Sequence, residues 1–414
     1  MLTAIEHEIN NDVTTEIGGG ITSPKGFRAA GIYCGIRKVK KDLMLLVSDV
    51  PANISAVFTQ SKTVAAPVIV SREQIARANG ICSAIIVNSG VANACTGEQG
   101  MMDAWKMVQA TASALNIPSE QVVVSSTGVI GQFLPMDKIT SGIAQIKSVV
   151  TTDGGHDAAE AIMTTDTYAK ELAVSVQLSS GTITIGGMAK GSGMIAPNMA
   201  TMLAFMTTDA AISQPLLDKA FKQAINKSFN RISVDGDTST NDMASILANG
   251  KAGNQMISKE DGDYAIFSEA LDQSLIKLAK MIVTDGEGAT KIVEIIVTGT
   301  ATDADALTAA KTVANSSLVK TAIHGADANW GRILAACGRS GIDFDPAMAE
   351  IYFDDMPVLK KNYDIVLDEV RALEILKKDS LVISISLGSG PGTANFWTCD
   401  LSKEYVHINA SYRS

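Results

Sequence analysis

The sequence predicts an α/β fold, and three observations carry that expectation. Of its 414 residues 46% are hydrophobic but only 5% aromatic and 19% charged, the balance of a closely packed aliphatic interior rather than of a disordered chain. Short apolar runs such as Ala84-Ile85-Ile86-Val87 and Val122-Val123-Val124 break off into loops of serine, threonine, asparagine and glycine, as buried strands do where they leave a sheet. Longer stretches carry the helical period, most clearly 214–228, where Leu216, Leu217, Ala220, Phe221 and Ile225 share one face. Length argues for about two or three domains, although no low-complexity tract, charge run or repeat marks a boundary.

Several function classes are excluded at this level. A net charge of −10, with only the short lysine pairs at 40–41, 360–361 and 377–378, offers no phosphate track for nucleic acid. The five cysteines are odd in number, widely spaced and without a CxxC pair, which fits reduced thiols in a cytoplasmic protein. The four histidines form no ligand cluster, so no metal is expected. The acidic opening Met-Leu-Thr-Ala-Ile-Glu-His-Glu does not resemble a signal peptide, and no run reaches the roughly 18 apolar residues of a membrane span.

In chain order, the three glycines and the proline of 17–37 predict a turning loop before a first buried strand at 42–50, with strand signals at 54–60 and 66–71. The run ending at Val87 opens into Asn88-Ser89-Gly90-Val91-Ala92-Asn93-Ala94-Cys95-Thr96-Gly97, before a helix at 99–115. Val122–Val124 leads to Ser125-Ser126-Thr127-Gly128-Val129-Ile130-Gly131, a turn able to present a hydroxyl and a backbone N–H to one point, as a developing oxyanion requires; the plain alternative is an ordinary turn. Helices follow at 135–150 and 156–164, then the polar interruption Met163-Thr164-Thr165-Asp166-Thr167 and strands at 171–178 and 182–187.

Beyond 201 come a strand to 208, the helix 214–228, and a loop at 233–242 whose alternating acids fail the EF-hand spacing. A helix at 262–283 ends in Thr284-Asp285-Gly286-Glu287-Gly288-Ala289-Thr290-Lys291, which lacks the Walker spacing. A strand at 292–298, a helix at 303–322 and Gly325-Ala326-Asp327-Ala328-Asn329-Trp330-Gly331-Arg332 follow, the last read as a Trp330–Arg332 pair fixing a helix start. Gly388–Gly392, after a strand at 381–387, reads as a turn between strands.

The stretch from Lys190 to Phe205 stands apart. It runs from a glycine-loosened loop through Pro197, which disfavours helix just upstream, into Ala200-Thr201 and an apolar segment. A threonine hydroxyl is a weak nucleophile until a base sits beside it, and its own α-amine can serve only if Thr201 begins a chain. Taken alone, Thr201 reads as a residue opening a strand.

Together with the loops at 88–94, 125–131, 163–167 and 325–332 and the ending Tyr405–Ser414, this stretch resembles the ornithine acetyltransferase family, also called glutamate N-acetyltransferase, of arginine biosynthesis, nearly end to end. The resemblance implies a layered sandwich of mixed β-sheets flanked by helices with an N-terminal-nucleophile-like site. It implies self-cleavage between Ala200 and Thr201 into an α chain (1–200) and a β chain (201–414), two of each forming a heterotetramer. Thr201 would carry the acetyl group, Thr127 and Gly128 would form the oxyanion hole, and Thr164, Lys190, Glu287, Asn409 and Ser414 would bind substrate, with Thr165 the close competitor of Thr164. The chain departs from the family at Ala169, where proline is usual, and at Ser414, where threonine often stands.

The implied reaction moves acetyl from N2-acetylornithine to glutamate by a ping-pong route through acetyl-Thr201, in the cytoplasm, without a cofactor; acetyl-CoA as a second donor stays open. The alternative is an N-terminal-threonine amidohydrolase or aminopeptidase, in which water takes the acyl group. A non-catalytic binding protein is disfavoured by several motifs in order.

Overall fold

The computed structural model describes residues 13–196 and 202–411. The described residues divide into two compact units, one formed by 13–191, 202–230 and 238–278, the other by 192–196, 231–237 and 279–411.

The first unit is built on a nine-stranded mixed sheet. Its order runs Thr14–Ile17, Lys170–Leu178, Gly181–Lys190, Leu203–Thr208, Met243–Ala248, Leu43–Phe58, Ile81–Val91 and Val122–Val129, with Phe27–Ile32 also paired to Leu43–Phe58. Two pairs are parallel, Leu203–Thr208 with Met243–Ala248 and Ile81–Val91 with Val122–Val129. Side chains alternate across a strand, and here both faces are covered. Leu43 and Leu45 pack with Ile86, Met107, Val108, Ile139 and Ile143, whereas Met44 and Leu46 pack with Phe27, Phe205, Ala158 and Leu247. Helices Gly97–Leu115 and Met136–Ile146 supply one cover, and Gly155–Ala161 supplies part of the other.

Three local expectations are corrected. The strands expected at 42–50 and 54–60 are one strand, Leu43–Phe58, whose register shifts between Val47 and Ala52; Pro51, which has no N–H to give a ladder, sits in that irregularity. Residues 66–71 open the helix Ala66–Arg77 instead of a strand. Pro67 lies in its first turn, where a missing N–H costs nothing, and the helix formers Arg72, Glu73, Gln74 and Arg77 outweigh the β-branched Val68-Ile69-Val70. Phe27–Ile32, inside the stretch read as a loop, is a strand with Phe27 and Ala29 fully buried.

The second unit holds a seven-stranded sheet ordered Asp364–Ile365, Met356–Lys360, Glu350–Phe353, Ser380–Ser386, Ile292–Gly299, Gly390–Cys399 and Ile232–Ser233. Val293, Ile295 and Val297 face Ala306, Ala309, Ala310 and Val313 across its core. The helix expected at 303–322 is two, Asp303–Ala314 and Ser317–His324, because the Ser316 side chain caps the second by accepting from the Val319 N–H. The start of helix Trp330–Gly338 is set by Asn329, whose side chain accepts from the Arg332 N–H; the Arg332 guanidinium donates to the Leu318 carbonyl. Gly388–Gly392 lies at the turn between two strands, as expected. The chain is thus α/β, with mixed sheets flanked by helices, and among its described residues no helix is long and apolar enough to cross a membrane.

Candidate active site

The oxyanion candidates Thr127 and Gly128 lie at the end of strand Val122–Val129, beside Ser89, Gly90 and Val91 of the parallel neighbour. Gly128 has φ +132°, and a Cβ there would stand 2.2 Å from the Gly90 carbonyl carbon, so the two backbones can approach only because this residue is glycine. The surrounding polar loop is fastened from within. The Ser126 hydroxyl donates to Asn88 Oδ1 at 2.6 Å, Asn88 Nδ2 to the Val91 carbonyl at 2.9 Å, and Asn93 Nδ2 to the Gly100 carbonyl at 2.9 Å. Asn241 Nδ2 donates to the carbonyls of Ala92 and Ser126 at 2.5 and 2.9 Å. The asparagines of the 88–94 motif therefore hold the loop that ends beside Thr127.

Thr164 and Lys190 are brought together by Asp166. One carboxylate oxygen accepts from the Thr164 N–H at 2.9 Å. The other accepts from Lys170 Nζ and from the Gly191 N–H, both at 2.7 Å. Lys190 is buried and ends the strand Gly181–Lys190, rather than lying in the loop that leads to Thr201. Burial opposes a charge on Asp166, but Lys190 and Lys170 outweigh it and hold the carboxyl well below the usual range. Arg37 fixes the same turn, its guanidinium donating to the carbonyls of Met163 at 2.7 Å and Thr164 at 3.2 Å. Its stem lies against Gly90, where a Cβ would come within 2.9 Å of Arg37 Cγ, so Arg37 joins the Thr164 turn to the strand ends that carry Thr127 and Gly128.

A second buried acid lies in the same unit. Asp242 is 2% exposed, and its Oδ2 has no hydrogen-bond partner among the described residues. Burial drives its carboxyl well above the usual range, against the pull of Ser239, Lys190 and Thr59. The strand it precedes runs parallel to Leu203–Thr208, and the Met243 N–H donates to the Met202 carbonyl at 3.0 Å. Asp242 is thus placed one strand away from the residue that follows Thr201 in the chain.

In the second unit, Glu287 is buried and accepts from Asn409 Nδ2 at 2.8 Å, while its N–H donates to the Ser192 carbonyl at 2.8 Å. A Cβ on Gly193 would fall 2.4 Å from the Glu287 carboxylate, so glycine is required there by close approach. The residues ahead of Pro197 are pinned: Asp235 accepts from the N–H groups of Met194 and Ile195 at 2.6 and 2.9 Å, and the Ser192 hydroxyl donates to the Asp285 carbonyl at 2.6 Å. Met194 takes the left-handed φ of +57°, which a non-glycine residue adopts at a cost.

Ala200, Thr201 and Ser414 lie outside the described residues. The pairing of Glu287 with Asn409, and of Thr164 with Lys190 through Asp166, was not deducible from spacing alone. No sequence motif marks Asp166, Lys170, Arg37, Asn241 or Asp242 as site residues. The one available signal was the i, i+4 spacing of Asp166 and Lys170, which also occurs on any solvated surface. His156 and His324 bond Glu171 and Asp400, each within its own unit.

A model of the ArgJ family matches residues 28–414. The arginine biosynthesis bifunctional protein ArgJ of Chlorobaculum tepidum is 52% identical over 391 residues, 94% of this chain and 96% of that protein. The protein of the same name from Bacillus subtilis (strain 168) is 46% identical over 407 residues, 98% of this chain and 100% of that one. Among solved structures, ornithine acetyltransferase complexed with ornithine from Mycobacterium tuberculosis is 41% identical, covering 45% of this chain and 100% of that chain with a TM-score of 0.42. A family model spanning nearly the whole sequence, with relatives close to half identical along it, means that the chain belongs to the ArgJ family.

Proposed function

We propose that this acetyltransferase of arginine biosynthesis transfers acetyl from N2-acetylornithine to glutamate, giving ornithine and N-acetylglutamate, through an acetyl ester on Thr201. The observation that carries the reading is the convergence within one unit of the Thr127–Gly128 strand end, the Thr164 turn and Lys190, linked by Arg37 and Asp166. Glu287 and Asn409, paired in the other unit, are assigned to substrate by family resemblance alone, as is Ser414.

The site is first made by self-cleavage. The Thr201 hydroxyl attacks the Ala200 carbonyl carbon, the Thr201 nitrogen leaves with a proton, and water opens the resulting ester to a carboxylate on Ala200 and a free hydroxyl on Thr201. The new α-amine has a reference pKa of about 7.7–8.0, so a useful fraction is neutral near pH 7 and can take the hydroxyl proton without a histidine. In the transfer, the Thr201 hydroxyl attacks the acetyl carbonyl of N2-acetylornithine, and its proton passes to the α-amine and on to the departing ornithine nitrogen. The glutamate amine then attacks the ester and restores the hydroxyl. Thr127 and Gly128 would steady the oxyanion in both halves. Ornithine and glutamate share an α-amino-acid head, which lets one pocket hold each in turn, and Lys190 suits its carboxylate. The processed chains are proposed to assemble two by two in the cytoplasm.

Assay of the purified protein tests the reading, with N2-acetylornithine and acetyl-CoA offered separately as acetyl donors to glutamate. Acetylation of glutamate by the first supports it, and acetylation by both adds acetyl-CoA as a second donor. Release of free acetate without N-acetylglutamate would make the chain an N-terminal-threonine amidohydrolase instead. Thr127→Ala should lower kcat by about 10²–10³ while changing KM little.

A further inference from the structure

We infer that Asp166 is a positioning residue for substrate, setting Thr164 and Lys190 in one geometry, and that Lys170 is its fixed counter-ion. The inference rests on the proposal that Thr164 and Lys190 contact substrate. Asp166 gathers three separate pieces of chain: the Thr164 N–H on one oxygen, and the Gly191 N–H and Lys170 Nζ on the other. Gly191 immediately follows Lys190, so fixing its N–H fixes the backbone from which the Lys190 side chain departs. The side chains of Lys170 and Asp166 are 0% exposed, so the pair lies beyond solvent screening.

A buried pair of this kind gives little net stability compared with a well-packed apolar pair, because both ions lose their hydration. What it does supply is registry: a carboxylate with three donors permits one arrangement of the turn and the strand end, and a substrate held by both needs that arrangement to within a fraction of an ångström. Lys170 matters because it shares the charge of Asp166 with Lys190, the two lysines together holding the carboxyl ionised. With Lys170 on the same oxygen as the Gly191 N–H, the carboxylate is anchored by a charge-assisted bond beside the backbone that carries Lys190.

The single variant Asp166→Asn leaves two buried lysines near a neutral amide and endangers folding, so the deciding protein is the double variant Asp166→Asn/Lys170→Met. It removes both charges together and keeps the charge balance around Lys190. Steady-state kinetics on the processed enzyme should use N2-acetylornithine and its α-carboxamide, alongside thermal melting. The expected result is a folded, processed enzyme with KM for N2-acetylornithine raised about tenfold, kcat within about threefold, and preference for the carboxylate over the carboxamide reduced at least fivefold. A folded double variant with wild-type KM and undiminished preference would overturn the inference, leaving the pair structural only. A double variant that fails to fold is replaced by Lys170→Arg and Lys170→Met; there the inference requires arginine to retain the carboxylate preference and methionine to lose it, and equal preference in both overturns it. Failure of the acetyl-transfer proposal looks different, since the wild-type enzyme would then form no N-acetylglutamate at all.

Discussion

Asp166 and Asp242 are both buried acids of the same unit, and Lys190 acts on both, yet their surroundings push the two carboxyls in opposite directions. Around Asp166 three donors and two lysines make the charged form the favoured one. Around Asp242 burial wins over the pull of Ser239, Lys190 and Thr59, one oxygen lacks a partner among the described residues, and beside it Asn241 bonds two carbonyls while Thr240 bonds Asn241. Burial alone therefore does not decide ionisation; the number and charge of the donors do. One side of the region is fastened by charge, the other by neutral amide bonds beside a carboxyl whose burial favours the proton.

The largest effect should come from breaking the charged side. Lys170→Met leaves Asp166 without its fixed counter-ion and should cost about 3–5 kcal/mol of stability in urea unfolding. Next, Asn241→Ala removes the donor of two buried carbonyls and should cost about 1–3 kcal/mol, with little change in the salt dependence of unfolding. The smallest and most diagnostic change is Asp242→Asn, which puts a neutral amide of similar shape where burial disfavours a charged carboxyl and should move stability by about 1 kcal/mol or less near pH 4.

Acid and base should separate the two residues further. Asp166, whose carboxyl is held low, binds fewer protons folded than unfolded, so its contribution is present above about pH 4 and is lost as pH falls below that. Asp242, held high, binds more protons folded than unfolded, so its contribution is present below about pH 4 and declines as pH rises. Asp242→Asn should therefore gain stability over the wild type as pH rises from 4 to 8. An identical pH profile for the two proteins would mean that Asp242 is ionised like its counterpart.

Much of this architecture could be read from residue order. The run Val122–Val124 ending at Thr127-Gly128, the helix 97–115 and the two strands before Lys190 follow from apolar period and turn residues, because each is set by its own neighbours in the chain. Phe27–Ile32 escaped because glycines and a proline nearby speak for a loop, while what makes it a strand is its pairing with residues 43–48. Ala66–Arg77 escaped because Val68-Ile69-Val70 has strand propensity, while the helix formers that outweigh it, Arg72 to Arg77, lie beyond that run, and the cover the helix gives the sheet adds to them. The site divides the same way. Thr127, Gly128, Thr164 and Lys190 stand in recognisable motifs, but the carboxylate that joins two of them is visible only once Asp166, Lys170 and Gly191 are in one place.

Thr201 is the centre of the proposed chemistry, and one experiment addresses it directly. The processed enzyme is mixed with N2-acetylornithine alone, quenched within the first turnover and analysed by mass spectrometry of its fragments. Release of one ornithine per site, with one acetyl group on the fragment that begins at Thr201, is the predicted result. A chain that remains whole, or a Thr201 fragment that never carries acetyl while intersecting initial-rate lines show both substrates bound together, would contradict it.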